Sequence, residues 1–122
     1  MGLTYIDGTV RGRSAEKRQV RFLVDSGAKY SLLPDDVWKA LGLEPKREMD
    51  FILADGTPLK RQVSECHIAL VDAELVQYEG HTPVILGEPG DLPLLGVITL
   101  EEFGLVLNPF SRTLQPMRMM LA

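Results

Sequence analysis

The carboxylate of Asp25 is the side chain in this sequence with the clearest chemical potential, because it ends an apolar run and opens a turn of small residues. Residues 22–24 (Phe-Leu-Val) are typical of a buried strand. A carboxylate at the end of such a strand must be hydrogen-bonded, paired or protonated, since burying an isolated charge is costly. Ser26 offers a hydroxyl, and Gly27 permits a tight turn that aims amide N–H groups at the acid. The tripeptide alone fits either a catalytic acid or a plain Asx-type turn at a strand end.

The flanking residues extend this motif. Residues 22–34 (FLVDSGAKYSLLP) resemble the active-site segment of the retropepsin-like aspartic proteases, in which two hydrophobic residues precede Asp-(Thr/Ser)-Gly-Ala and a short apolar strand follows. Residues 94–100 (LLGVITL) resemble the second signature of that family, which is two hydrophobic residues, a glycine and a short helix carrying a leucine. The resemblance runs from about residue 20 to residue 107 and is closest to small bacterial single-domain members. Between the two motifs, the place of the substrate-covering flap tip is taken by Ala54, Asp55, Gly56 and Thr57.

The resemblance implies a role for each matched residue. Asp25 would be the acid and base that activates a water, and Ser26 would brace two loops across a dimer axis. Gly27 would expose its backbone to substrate, and Ala28 would pack beneath the turn. Gly96 would let its strand pass close under the catalytic turn, because it has no side chain. The implied fold is mainly β, a closed acid-protease barrel with one lobe per chain and one or two short helices.

The length of the chain determines how such a site could be completed. Residues 1–122 are predicted to form one domain, which is too short for two lobes. The sequence contains one Asp-Ser-Gly turn, whereas the family reaction uses two aspartates, so the resemblance implies a homodimer. The apolar tail of residues 117–121 has no obvious partner inside a small barrel, and we expect it to pair across the two-fold axis, together with residues 3–6. A frayed terminus is the alternative.

The composition of the chain limits the classes of partner that it can bind. A net charge of −4 argues against a nucleic-acid or anionic-membrane surface, and the basic cluster of residues 11–21 is typical of solvated strand faces. The first residues lack the pattern of a signal peptide, and no apolar run approaches the length of a membrane span. The single cysteine, Cys66, fits a reducing compartment. We therefore expect a cytoplasmic protein, and the family resemblance implies that it acts on a peptide or protein substrate.

Turn residues divide the sequence at short intervals, which favours strands over helices. A helix is predicted where Pro34 is followed by two acids, with Gly42 after its end, and Trp38 should pack on the barrel. A second, shorter helix is predicted from Thr99 to Gly104. Strands are predicted at residues 4–12, 17–24, 30–33, 49–53, 59–71, 82–86, 94–95, 105–107 and 113–115.

Other chemistry has weaker support in the sequence. Asp91 is a candidate second acid within one chain, but no Ser-Gly turn follows it. Cys66 and His67 are neighbours on a predicted strand, so their side chains point to opposite faces, and His81 is predicted to stand alone. No spacing matches a zinc site or a nucleotide-binding loop, so neither a metal nor a cofactor is expected.

Two functions of different classes are open at this point. One is a homodimeric aspartic endopeptidase, in which two copies of Asp25 hold a water. The other is a catalytically silent retropepsin-like module that binds peptides or supports assembly, because its dimer does not bring the two carboxylates together. The separation of the two Asp25 carboxylates would distinguish these functions.

Overall fold

Nine strands and two six-residue helices form the part of the chain that the computed structural model describes, which comprises residues 3–14, 16–72 and 74–117. The strands are β1 (Tyr5–Arg11), β2 (Lys17–Val24), β3 (Ser31–Leu33), β4 (Arg47–Ile52), β5 (Pro58–Val71), β6 (Gln77–Leu86), β7 (Leu94–Leu95), β8 (Leu105–Asn108) and β9 (Thr113–Pro116). The helices are α1 (Asp35–Ala40) and α2 (Val97–Glu102). In these ranges no helix has the length and apolar character needed to span a bilayer.

Seven strands share one sheet in the order β1-β2-β7-β3-β6-β5-β4. β1 also pairs with β5, so the order turns back on itself and the sheet curls around its own apolar face. β7 lies between β2 and β3, parallel to β2 and antiparallel to β3. β8 and β9 form a separate hairpin. The predicted mainly β fold with two short helices is confirmed.

The core follows from alternation along the long strands. In β2, Val20, Phe22 and Val24 are buried, while Arg21 between them is exposed. Such alternation places every second side chain on the inner face of the sheet, where burial of apolar surface supplies most of the stability. The side chains with no solvent exposure in this core are Val10, Phe22, Leu33, Ile68, Leu70, Val84 and Leu95.

The predicted boundaries of β6 and α2 differ from the observed ones in ways that have a structural cause. β6 begins at Gln77 rather than at residue 82, because its outer half pairs with β5 as far as Val71. α2 begins at Val97 rather than at Thr99, and its first residue follows Gly96, whose extended backbone caps the helix. The predicted start of this helix at Thr99 was therefore wrong. Thr99 lies inside the helix and is fully buried.

Candidate active site

The Asp25 turn lies at the end of β2, on the surface of the chain. Asp25 is half-buried, whereas Ser26 and Gly27 are exposed. The Oδ1 atom of Asp25 accepts a hydrogen bond from the amide of Gly27 at 2.9 Å, and the carbonyl of Asp25 accepts one from the amide of Ala28 at 3.1 Å. The sequence predicted this use of the small residues. The second carboxylate oxygen of Asp25, Oδ2, accepts no hydrogen bond from the described residues.

The backbone of the turn is fixed by the second signature segment. Leu23 and Val24 pair in parallel with Leu94 and Leu95, and the amide of Asp25 donates to the carbonyl of Leu95 at 3.0 Å. Leaving the turn, the carbonyl of Ala28 accepts from the amide of Val97 at 2.8 Å. The amide of Val97 is one of those that the start of a helix otherwise leaves unpaired. The carboxylate is thus held on a rigid backbone.

Gly96 lies where the two segments cross. A Cβ atom at this position would stand 2.5 Å from the carbonyl carbon and oxygen of Tyr30 and 2.9 Å from the carbonyl oxygen of Lys29. Backbone atoms cannot yield as the end of a side chain can, so the approach requires glycine. The backbone that Gly96 meets belongs to the segment leaving the turn, between Asp25 and β3.

A buried hydroxyl network, which the sequence analysis missed, joins the same segments. The Oγ atom of Ser31 accepts from the amide of Gly96 at 2.9 Å and lies 2.6 Å from the Oγ1 atom of Thr99. Thr82 on β6 lies 2.8 Å from the same Thr99 oxygen. All three residues are at most 1% exposed to solvent. The sequence does hold a signal for this network, because a serine and two threonines lie within apolar strand and helix patterns. A polar side chain that is buried in such a pattern needs hydrogen-bond partners.

The β4–β5 hairpin carries the residues assigned to the flap tip. Ala54, Asp55, Gly56 and Thr57 are all exposed, and Gly56 has a φ of +88°, which favours glycine. Asp55 accepts from the amide of Thr57 at 2.9 Å, and hydrogen bonding from Thr57 lowers the pKa of the Asp55 carboxyl. The hairpin turn predicted by Asp-Gly is confirmed. Its contact with a substrate stays a prediction.

One aromatic contact relates the hairpin to the Asp25 turn. The ring of Phe51 on β4 meets the ring of Tyr30 edge to face, with 5.8 Å between the centroids. Tyr30 follows the turn and precedes β3, so the hairpin lies beside the segment that carries Asp25. Such a pair is worth about 0.5–1.5 kcal/mol beyond the apolar area that it buries. The exposed side chains nearest the tip, Ile52 and Leu53, are apolar.

Asp91, the alternative second acid, has a structural role instead. Its Oδ2 atom accepts from the amide of Glu88 at 2.7 Å and from the Nη1 atom of Arg61 at 3.3 Å. Arg61 is only 15% exposed and also lies 3.5 Å from Glu88. The loop that contains Asp91 is therefore tied to β5. Trp38 of α1 is bound to the same loop, since its indole N–H donates to the carbonyl of Gly87 at 2.8 Å.

The remaining reactive side chains do not join the site. Burial raises the pKa of the Cys66 thiol to about 12, so this group is no nucleophile at neutral pH. His67 faces the other side of its strand, as predicted. His81 does not stand alone, because it pairs directly across from His67 with 5.7 Å between the ring centroids. No group of three potential metal ligands occurs in residues 3–14, 16–72 and 74–117.

Comparisons with known proteins agree with this geometry. The sequence model of a family described as gag-polyprotein putative aspartyl protease matches residues 10–102, well over half of the chain. The fold is similar to that of the retroviral protease-like domain of Ddi1 from Leishmania major, with a TM-score of 0.56 and 14% identity over 95% of this chain and 89% of that one. A retropepsin-like aspartic protease from Rickettsia conorii matches with a TM-score of 0.46 and 24% identity over 93% of this chain and 88% of that one. The comparison with curated proteins finds no match. Because the matched family segment contains both the Asp25 turn and Gly96, the chain belongs to the gag-polyprotein putative aspartyl protease family.

Proposed function

We propose that this protein is an aspartic endopeptidase whose active site forms between two copies of the chain. The observation that carries the proposal is the Asp25 turn, which presents one carboxylate at the surface on a backbone fixed by Leu95 and Val97. The exposed Ser26 and Gly27 leave this surface open to a second copy. Membership of the aspartyl protease family supports peptide hydrolysis as the reaction.

The mechanism requires two Asp25 side chains that share one proton. Two carboxylates a few ångströms apart do not both ionise easily, so one stays protonated, as in the known aspartic proteases. The ionised Asp25 takes a proton from a water held between the two copies, and this water attacks the peptide carbonyl carbon. The protonated Asp25 donates its proton to the carbonyl oxygen as the tetrahedral intermediate forms. As the C–N bond then breaks, the Asp25 that took the water's proton gives it to the leaving nitrogen, and the other Asp25 takes a proton back from a hydroxyl of the intermediate. These reaction steps use no metal or cofactor. Peptidase activity should peak at acidic to mildly acidic pH.

The β4–β5 hairpin would cover the bound peptide. Its tip residues 54–57 are exposed, and the apolar Ile52 and Leu53 beside them are 78% and 46% exposed. Large apolar side chains exposed at the end of a hairpin gain stabilisation when a ligand covers them. The Tyr30 to Phe51 contact supports a position of the hairpin near the Asp25 turn.

The dimer is proposed to use the two ends of the chain. Leu3 is 63% exposed, and the amide of Met117 donates to the carbonyl of Gly104 at 2.6 Å, which continues the β8–β9 ladder to the last described residue. Residues 118–121 of the predicted interface lie outside the described residues. A variant truncated after Gln115 should sediment as a monomer. An unchanged dimer would assign the interface to another surface.

Proteolysis of a mixed peptide library at pH 4 to 7.5 tests the activity. The unmodified chain should cleave peptides, Asp25→Asn should not, and Asp36→Asn, which removes an exposed acid from α1, should match the unmodified chain. Cleavage that survives Asp25→Asn would refute the mechanism. A stable dimer that cleaves nothing at any pH would instead indicate the silent peptide-binding module.

The proposal includes a reducing compartment such as the cytoplasm. The single cysteine of the sequence, Cys66, is 2% exposed and serves as a core side chain rather than as a disulfide partner. A protein without disulfides needs no oxidising environment for its stability. Fractionation of cells that express the tagged chain would test this location.

A further inference from the structure

The two histidines of the chain lie side by side on the outer face of the sheet, and we call them the histidine pair. His67 on β5 is directly opposite His81 on β6, and the sequence contains no other histidine. Residues that are directly opposite in neighbouring strands project from the same face of a sheet. Cys66 and Ile68, which alternate with His67, are buried, so the histidine pair faces solvent. The fold thus brings every imidazole of the chain into one contact.

The imidazole nitrogens of the histidine pair are available to a ligand. Among residues 3–14, 16–72 and 74–117, no hydrogen bond or salt bridge involves a ring nitrogen of either histidine. A neutral imidazole carries one nitrogen with a free lone pair, and zinc, copper and nickel ions favour that donor. The pair therefore offers two such donors from adjacent strands.

The spacing of the two rings suits a tetrahedral zinc ion. A zinc-to-nitrogen bond of about 2.1 Å places the metal roughly 3.2 Å from the centroid of the ring. Two imidazoles bound at the tetrahedral angle then have centroids about 5.2 Å apart. The observed distance between the centroids is 5.7 Å. Small rotations of two solvent-facing side chains close a difference of about 0.5 Å.

Two acids flank the histidine pair on the same face. Glu65 and Glu79 each lie two residues from one histidine and diagonally across from the other. Diagonal neighbours in a sheet are within reach of long side chains. Both acids are exposed, and so are their present partners, Lys46 at 3.9 Å and Gln77 at 2.6 Å. In the part of the chain that the structure describes, no third ligand joins the pair as the side chains stand, but rotation of either glutamate would supply one.

Two basic side chains act in the opposite direction. Arg11 on β1 pairs directly with His67, and Lys17 on β2 pairs with Arg11, so both extend the same row of the sheet. Their charge repels a metal ion, whereas the charge of the two flanking glutamates attracts it. Because the formal charges of these four side chains cancel, binding depends on the two imidazoles rather than on the net charge around them.

We propose that His67 and His81 together bind one zinc ion on the outer face of the sheet. Water or one of the flanking carboxylates would take the remaining positions around the metal. The site shares no residue with the candidate active site, and neither β5 nor β6 pairs with β2, which carries the Asp25 turn. The inference is therefore independent of the proposed peptidase activity.

Isothermal titration of the untagged chain with zinc chloride at pH 7.5 tests the proposal. One zinc ion should bind per chain. The variants His67→Gln and His81→Gln should each bind zinc at least about tenfold more weakly, because either change removes one of two imidazole ligands. The matched variant Asp36→Asn, which removes an exposed carboxylate from α1, should bind within twofold of the unmodified chain. Magnesium chloride should give no binding heat, since that ion prefers oxygen ligands.

A second measurement does not depend on the folding of any variant. In proton NMR spectra of the unmodified chain, the ring C–H signals of both imidazoles should change with the same zinc midpoint. A change confined to one ring would overturn the proposal. So would a loss below twofold in either histidine variant, or an equal loss in Asp36→Asn. A ratio of one zinc ion to two chains would also overturn it, because the ion would then lie between copies.

Discussion

One methyl group added at Gly96 tests whether the second signature segment holds the Asp25 turn. In Gly96→Ala, the new Cβ would stand 2.5 Å from the backbone of Tyr30, whereas ordinary contacts begin at 3.4 Å. The two segments must therefore separate by about 0.9 Å. The φ of Gly96 is −99°, which alanine adopts without strain, so the substitution measures the steric overlap alone.

The separation determines the cost of the substitution. It would lengthen the hydrogen bonds from the amide of Val97 to Ala28 (2.8 Å) and from the amide of Gly96 to Ser31 (2.9 Å). Overpacking costs about 1–3 kcal/mol, and each weakened buried hydrogen bond about 1 kcal/mol. The free energy of unfolding should fall by about 3 kcal/mol. With an m-value of about 2 kcal/mol/M, the urea midpoint should fall by about 1.5 M.

Urea unfolding followed by the emission of the single tryptophan, Trp38, provides the assay. Gly90→Ala is the matched control, because Gly90 has a φ of +87° and no atom within 4 Å of the added Cβ. That variant should lose about 1 kcal/mol through backbone strain alone. A loss below 1 kcal/mol in Gly96→Ala, or one no larger than in the control, would refute the close crossing of the segments.

Two further predictions concern buried groups around this crossing. Ser31→Ala leaves the amide of Gly96 without a partner and removes one of the two partners of the Thr99 hydroxyl, so it should lose about 2 kcal/mol in the same assay, while the exposed Ser111→Ala should change stability by less than about 0.5 kcal/mol. Equal losses would contradict the network. Because burial raises the pKa of Cys66 from 9.0 to about 12, the thiol ionises in the unfolded chain first, and stability should fall as the pH rises above 9. At pH 8 an aromatic disulfide reagent should label the urea-unfolded protein, and rapid labelling of the native protein would contradict this burial.

The sequence predicted the parts of the site that depend on local pattern. β2 ends at Val24 as expected, because apolar alternation and the Asp-Ser-Gly turn both specify that point. The start of α1 after Pro34 follows from proline chemistry and the acids of its first turn in the same way. These signals lie within a few residues of the structure that they determine.

Features that depend on strand register could not be predicted in this way. Ser31 and Thr99 are 68 residues apart, and their contact exists only because β7 lies between β2 and β3. His81 was predicted to stand alone because nothing local indicates that His67 will lie opposite it. The proposed pairing of two copies of Asp25 belongs to the same class, since it depends on a surface rather than on a neighbouring residue.

The ion pair between Arg61 and Asp91 has a mechanical consequence for the β4–β5 hairpin. Arg61 lies opposite Met49, so the pair anchors the hairpin at that register to the loop that also binds Trp38. Only the three residue pairs beyond this anchor and the tip are free to swing, which is a lever of roughly 10 Å. Phe51 lies within this lever, so the hairpin cannot lift without separating Phe51 from Tyr30. Any opening of this lever would therefore cost the energy of the Tyr30 to Phe51 contact.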